Sequence, residues 1–290
     1  LALISSSTLM VAGICIEIYG YGDSTSHYAY RFSGTLHPNH AGIYSWVVIL
    51  TSLYFFDRTR MKRFIAWACV AAIVLFLTKS RTALLAGIFG LGLFFALRWP
   101  MRRTLTVGFL LVFGNLVIYT LFLTDIMPPV WTALLMGRDD SDITTMTGRS
   151  DIWAAAIEWF GYDKTRMLTG YGYQSFWTSS VAEFVSLRVM FHISEGHNAY
   201  LDTLFALGVV GVTCYVVMLF TSLVLWTRAA YQRHNASFAV MAAFLMFAVV
   251  HGIAESTFVD PNLASFFTFC AMMMCAIYNP LRRPRDEELE

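Results

Sequence analysis

The sequence predicts an all-α, polytopic transmembrane bundle, and three observations carry that expectation. Of its 290 residues, 57% are hydrophobic and only 13% are charged, against about a quarter charged in an ordinary soluble domain. The apolar residues come in unbroken runs, not in the short alternating segments of a barrel, and a bilayer accepts such runs only as helices. Polar residues are gathered into a few connections, chiefly residues 125–196.

In order, residues 1–19 form an apolar run interrupted late by Glu17, and residues 20–39 form a polar loop holding Asp23, His27, Arg31 and His37-Pro38-Asn39. Residues 40–56 make a second span, closed by the basic turn 57–63. Residues 64–78 and 82–97 are separated only by Lys79-Ser80-Arg81, which reads as a tight helical hairpin. After the basic turn 98–103 comes a fifth span, 104–124, and then the long hydrophilic segment. A sixth span covers 199–226, a seventh 236–254 and an eighth 263–278, with turns at 227–235 and 255–262. The chain thus divides into five helices (1–124), a large loop (125–196), three helices (197–278) and a charged tail (279–290). It opens on Leu1 with no basic region ahead of the first apolar run, so further N-terminal helices are expected to be missing.

Basic residues orient these spans. Arg58, Arg60, Lys62 and Arg63, then Arg98, Arg102 and Arg103, then Arg228 and Arg233, then Arg282, Arg283 and Arg285 occupy alternate connections, which the positive-inside rule assigns to the cytoplasm. Eight crossings with both ends inside satisfy every short loop. Residues 20–39, 79–81, 125–196 and 255–262 then share the outer face. Within the long loop, Ser150 can cap a helix whose stripe is Ile152, Trp153, Ala156, Ile157 and Phe160, ended by Gly161 and lying on the membrane surface. Residues 181–190 can form a second surface helix.

Several classes drop out. No basic-aromatic groove speaks for nucleic acid. The five cysteines all sit inside apolar runs, where they form neither a disulfide framework nor a thiolate site. No internal repeat suggests a transporter built from duplicated halves.

A few residues stand out chemically. Arg81, at the outer turn of an apolar hairpin, either snorkels to water or binds an anion. Arg149 opens a helix, where a cation opposes the dipole unless an anion also sits there. Two or three such arginines around one pocket could neutralise a diphosphate by forked hydrogen bonds without a metal. His197 opens the sixth span, and Gly208, eleven residues on, is almost three helical turns away. Both are therefore expected on one face, with the glycine admitting a neighbouring helix beneath the histidine. A histidine at a helix start is ordinarily interfacial, and Asn198 beside it is a candidate orienting partner.

Other constellations compete. Asp139-Asp140-Ser141-Asp142 contains an Asp-x-Asp that could bind a divalent cation, although such runs are commonly solvated surface. His192, Glu195 and His197, or His27, His37 and His40, lack zinc-site spacing, and Glu195 is better placed to tune His197. No metal or other cofactor is expected. His251, Glu255 and Asp202 are intramembrane ionisable groups, either functional or bonded between helices. Tyr171, Tyr173, Phe176 and Trp177 suit either sugar stacking or an interfacial aromatic belt.

Arg81-x3-Leu85, Gly148-Arg149 with Trp153 four residues on, Gly170-Tyr171-Gly172 and His197-Asn198-x9-Gly208, with Arg31, Gly34 and Pro38-Asn39 before them, resemble the O-antigen ligase and polymerase superfamily. Its members are bacterial inner-membrane glycosyltransferases with a large periplasmic loop. The resemblance implies transfer of a glycan from undecaprenyl diphosphate to an acceptor hydroxyl, on another glycan or on lipid A core. Arg81 and Arg149 would bind the diphosphate, with Arg31 as a third candidate, and His197 would be the general base. The runs 170–177 and 197–202 look closer to exopolysaccharide polymerases than to ligases. The rival expectation from another class is a lipid-linked oligosaccharide flippase or exporter, which would spread ionisable residues through the depth of several spans instead of clustering them at one face.

Overall fold

The computed structural model describes residues 2–18, 31–34, 36–98, 149–190, 192–193, 195–256 and 260–278. The expected fifth span, residues 125–148 with the aspartate run, and the charged tail lie outside them. Among the described residues all regular structure is helical: α1 (Ala2–Ile18), α2 (Pro38–Thr59), α3 (Arg63–Leu77), α4 (Arg81–Arg98), α5 (Arg149–Tyr162), α6 (Arg166–Thr169), α7 (Ser179–Val189), α8 (Ala199–Arg233), α9 (Ala236–His251) and α10 (Leu263–Tyr278). Two of them, α4 and α8, are long and apolar enough to cross a membrane; α1, α3, α9 and α10 are apolar but shorter.

α2 is the axis of the bundle. Pro38 starts it without forfeiting a needed N–H, and Arg60 ends it in the left-handed region with its N–H on the Phe56 carbonyl. Between those ends, Ile43, Trp46, Val47, Val48 and Leu50 are buried. Trp46 fills a notch in α4 cut by two glycines: a Cβ on Gly87 or Gly90 would stand 2.6 Å from its ring. Its other face stacks on Phe247 of α9, centroids 4.0 Å apart, so one indole fastens three helices.

The two ends of the bundle differ in character. At one, Arg98 pairs with Asp57 at 2.6 Å and donates to the His234 carbonyl, joining the end of α2, the end of α4 and the α8–α9 turn. These connections are among those the charge pattern assigned to a common side. At the other end the segment 31–39, the α3–α4 turn, the start of α8 and the segment after α9 converge.

α8 departs from its expected form. It starts at Ala199 but runs to Arg233, and it is broken at Gly208, where φ 68° and ψ −171° fall in a region only glycine occupies. The first piece packs with α5 and α7 in a separate cluster through Leu201, Leu204 and Phe205; the second packs against α9 and α10 through Leu219, Leu223 and Trp226. At 1.5 Å per residue the second piece alone is roughly 37 Å long, enough for a 30 Å hydrocarbon core.

In the loop layer, α5 begins at Arg149, so Ser150 lies inside its first turn and does not cap it. Ile152, Ala156 and Phe160 are buried as expected, but against α7 and α8, so their stripe is sealed by protein. Ile157 falls outside that stripe, half exposed.

Candidate functional site

The polar end of the bundle is built around Glu255, which is only 5% exposed. Its Oε1 accepts from Arg149 Nη2 and from Asn39 Nδ2, each at 2.6 Å. Its Oε2 faces His197 Nδ1 at 3.7 Å, an ion-pair distance too long for a hydrogen bond. Asn39 in turn accepts from Arg31 Nη2 at 3.0 Å, and Arg31 Nε donates to the Thr78 carbonyl at 3.0 Å. Segments far apart in sequence thereby place Arg31, Asn39, Arg149, His197 and Glu255 in one connected group.

Local structure explains each placement. Arg31 is held by its neighbours: the Phe32 N–H bonds to the Leu77 carbonyl, and the Ser33 and Gly34 N–H groups both bond to Glu17 of α1. Asn39 sits in the first turn of α2, one residue after the proline that starts it. Arg149 and Trp153 lie one turn apart on α5. The first reaches Glu255, while the second donates Nε1–H to the Gly196 carbonyl at 2.8 Å. The arginine and the segment bearing the histidine are thus fixed by one helix face.

His197 stands just outside α8 in the left-handed backbone region, φ 50°, a conformation a histidine holds only if its surroundings compel it. They do so on both sides. Gly196 is tied to Trp153, and Asn198 caps α8 by accepting from the Tyr200 and Leu201 N–H groups. The turn after α9 is stapled to the same place: Asn198 Nδ2 donates to the Ile253 carbonyl, its N–H to Ser256 Oγ, and the Ala199 N–H to the Gly252 carbonyl. Ser256 also bonds to Asp202, whose other oxygen accepts from Trp177 Nε1. These bonds fix Glu255 beside His197.

Geometry sets the charge states. The Glu255 carboxyl feels burial, which alone would raise its pKa, but His197 and the Arg149 guanidinium prevail and bring it down to about 2. Burial likewise would lower His197; Glu255 and Glu195, the latter 3.3 Å from Nδ1, overcome it and hold the imidazole above its ordinary value. With Nδ1 turned to carboxylates, Nε2 on the opposite side of the ring is the atom available to take a proton.

Other expected residues are placed differently. Arg81 begins α4 three residues after Thr78, at this end of the bundle. Gly208 does not lie beneath His197 on a common helix face, because the histidine precedes the helix and the glycine breaks it. What approaches Gly208 is α6: an added Cβ would strike the Leu168 carbonyl, and one on Gly170 would strike the Ala206 carbonyl. The Phe205 and Ala206 carbonyls accept instead from the Tyr171 and Gly172 N–H groups, at 3.0 and 2.8 Å. The motifs 170–172 and Gly208 are therefore two halves of one backbone joint. Among the described residues no three of His, Cys, Asp and Glu gather as a metal site.

A cavity of about 1190 Å³ adjoins the cluster and shares Glu195 with it. Asp202, Asp260, Asn262, Tyr173 and Trp177 line its polar part; Leu207, Phe266, Phe269 and Met272 line its apolar part between α8 and α10. Burial, with the charges of Glu195 and Asp202, pushes the Asp260 carboxyl up to about 6.

Sequence reasoning singled out Arg31, Arg81, Arg149, Glu195, His197 and Asn198; it named Glu255 with His251 as an ionisable candidate and Pro38-Asn39 as part of the family resemblance, but it did not connect Glu255 or Asn39 to the arginines or to His197. The legible signal was a carboxylate and a histidine, Glu255 and His251, at the end of an apolar run.

A model of a family described as O-antigen ligase matches residues 64–216, slightly more than half of the chain. Arg81, Arg149, residues 170–172, His197 and Gly208 fall within the match, whereas Arg31, Asn39 and Glu255 fall outside it. No curated protein matches the chain.

Proposed function

Because this chain belongs to the O-antigen ligase family, we propose that it transfers a glycan from undecaprenyl diphosphate to an acceptor hydroxyl at the periplasmic face of the bacterial inner membrane. The family is one of membrane glycosyltransferases acting on lipid-linked glycans. The observation that carries the finer reading is the convergence of Arg149, His197 and, through Asn39, Arg31 on Glu255 at one end of the bundle.

The reaction needs two things, a neutralised leaving group and a hydroxyl made nucleophilic. Arg149 bonds to Glu255 through Nη2, leaving other N–H donors of its fork for phosphate oxygens. Arg31, and Arg81 at the adjoining turn, supply further positive charge. His197 Nε2 takes the proton of the acceptor hydroxyl as its oxygen bonds to the anomeric carbon. The bond from that carbon to the diphosphate oxygen breaks, and the arginines hold the departing diphosphate. In-line attack inverts the anomeric centre, and no metal is needed to balance the charge.

The neighbouring cavity suits the acceptor. Its polar part carries Glu195, Asp202 and Asp260, which repel a diphosphate but accept hydrogen bonds from sugar hydroxyls, beside the rings of Tyr173 and Trp177. Donor and acceptor would then meet across Glu195 and His197. The runs 170–177 and 197–202 favour a polymerase, which extends one lipid-linked glycan with another, over a ligase to lipid A core.

The test is a glycan gel from a strain lacking the gene, complemented with the intact gene or with His197→Ala. Single repeats in the knockout, with a ladder restored by the intact gene alone, support a polymerase using His197. Full-length polymer stranded on its carrier makes it a ligase with the same base. A normal ladder from His197→Ala at normal protein level sinks the assignment and favours an exporter.

A further inference from the structure

Glu255 serves partners whose demands conflict. Its Oε1 is held by Arg149 and Asn39 at 2.6 Å each, while Oε2 stops 3.7 Å short of His197 Nδ1. The side chains of Arg149 and Glu255 are only 18% and 7% exposed, so this is a desolvated, charge-assisted pair. The remaining donors of Arg149 can make first contact with a diphosphate, but the guanidinium can give its full charge to that ligand only by releasing the desolvated carboxylate that Nη2 already holds. Asn39 is neutral and anchored by Arg31, so it can keep its hold on Oε1 whatever Arg149 does.

We propose that Glu255 is the resting counter-ion that the donor diphosphate displaces from Arg149, and that the released carboxylate then closes on His197 Nδ1. The inference rests on the reading of Arg149 as a diphosphate ligand and His197 as the base. Turning about Asn39, Oε2 needs to advance by less than about 1 Å to make a hydrogen bond. In that position it orients the imidazole and stabilises the imidazolium that forms when Nε2 takes the hydroxyl proton. Glu255 touches neither the donor nor the acceptor, so it is a positioning residue. Its exchange makes the base fully supported only when a donor is bound.

A shared counter-ion has a signature that a structural carboxylate lacks. Removing it frees Arg149, so an anion binds more tightly even as turnover falls. The experiment uses the full chain purified in nanodiscs, with inorganic pyrophosphate as the calorimetric probe, and ladder-formation rates in the complemented strain. Apparent affinity scales with the fraction of Arg149 not already paired, so Glu255→Gln should lower the pyrophosphate Kd by roughly 3- to 10-fold while slowing ladder formation by at least about 10-fold. Glu255→Asp keeps the charge on a shorter arm and guards against misfolding. Its Kd should stay within about 3-fold of the wild type, with turnover reduced because the carboxylate reaches His197 poorly. An unchanged or weaker pyrophosphate affinity in Glu255→Gln, or wild-type turnover in both variants, overturns the proposal while leaving the function intact. Binding that ignores Arg149→Ala, or a normal ladder from His197→Ala, overturns the underlying reading instead.

Discussion

At the scale of single residues, the proposed chemistry turns on a buried carboxylate between a guanidinium and an imidazole. Glu255, held near 2 against an ordinary 4.5, is ionised throughout the neutral range. Its stabilising contribution is present above about pH 4.5 and lost as the pH falls toward 2. His197 has the opposite sign: its raised pKa favours the charged form, and that stabilisation is complete below about 6.5 and lost as the pH rises through the folded value. A base must be neutral to act, so turnover should climb with pH along a limb lying above 6.5. Glu195→Gln removes one of the carboxylates that raise it and should move this limb to lower pH. A pH–rate profile that does not move in Glu195→Gln argues against His197 as the titrating base. Arg149→Ala leaves Glu255 buried without its cation and the donor without its fork. Ladder formation should fall by about 100-fold or more, and Arg149→Lys, a point charge in place of a fork, should recover only part of it.

At the scale of elements, the break in α8 does what an unbroken helix could not. It separates residues 199–207, which Asn198 caps and staples to the turn after α9, from the longer piece that follows. The freed Phe205 and Ala206 carbonyls are bonded by the 171–172 backbone, as buried polar groups require. Gly170 and Gly208 share nearly the same dihedral angles, φ 72° and ψ −172° against φ 68° and ψ −171°. An alanine at either place meets both backbone strain and a carbonyl. Gly208→Ala should cost at least about 2 kcal/mol and reduce activity through misplacement of His197, measured as a lower unfolding temperature in detergent together with a weaker ladder. A variant as stable and active as the wild type would show that the joint is not required.

At the scale of the whole molecule, the bundle is an alternating frame with different tasks at its two ends. The Asp57–Arg98 pair and the His234 carbonyl close one end; the Glu255 group occupies the other. Trp46, wedged between Gly87, Gly90 and Phe247, holds α2, α4 and α9 together, and so fixes Asn39 relative to Glu255. Trp46→Ala should destabilise the frame by about 3–5 kcal/mol and lower activity although it lies away from the reacting groups. Scanning calorimetry of the purified protein checks the first effect, and a glycan gel checks the second.

The sequence by itself determined the helical class, most helix positions among the described residues and the residue types of the candidate site. Unbroken apolar runs leave a chain no other way to bond its backbone, and arginines beside a histidine are conspicuous in a chain so poor in charge. Only the tertiary structure decided how those residues meet. Glu255 comes beside Arg149 and His197 because its turn packs against the cap of another helix, and Asn39 is held by an arginine eight residues back and a carboxylate more than two hundred residues on. The spacing of His197 and Gly208 suggested one continuous helix, because periodicity assumes regular backbone from end to end. The actual break depends on a partner, the backbone of residues 168–172, that a single segment read alone does not contain.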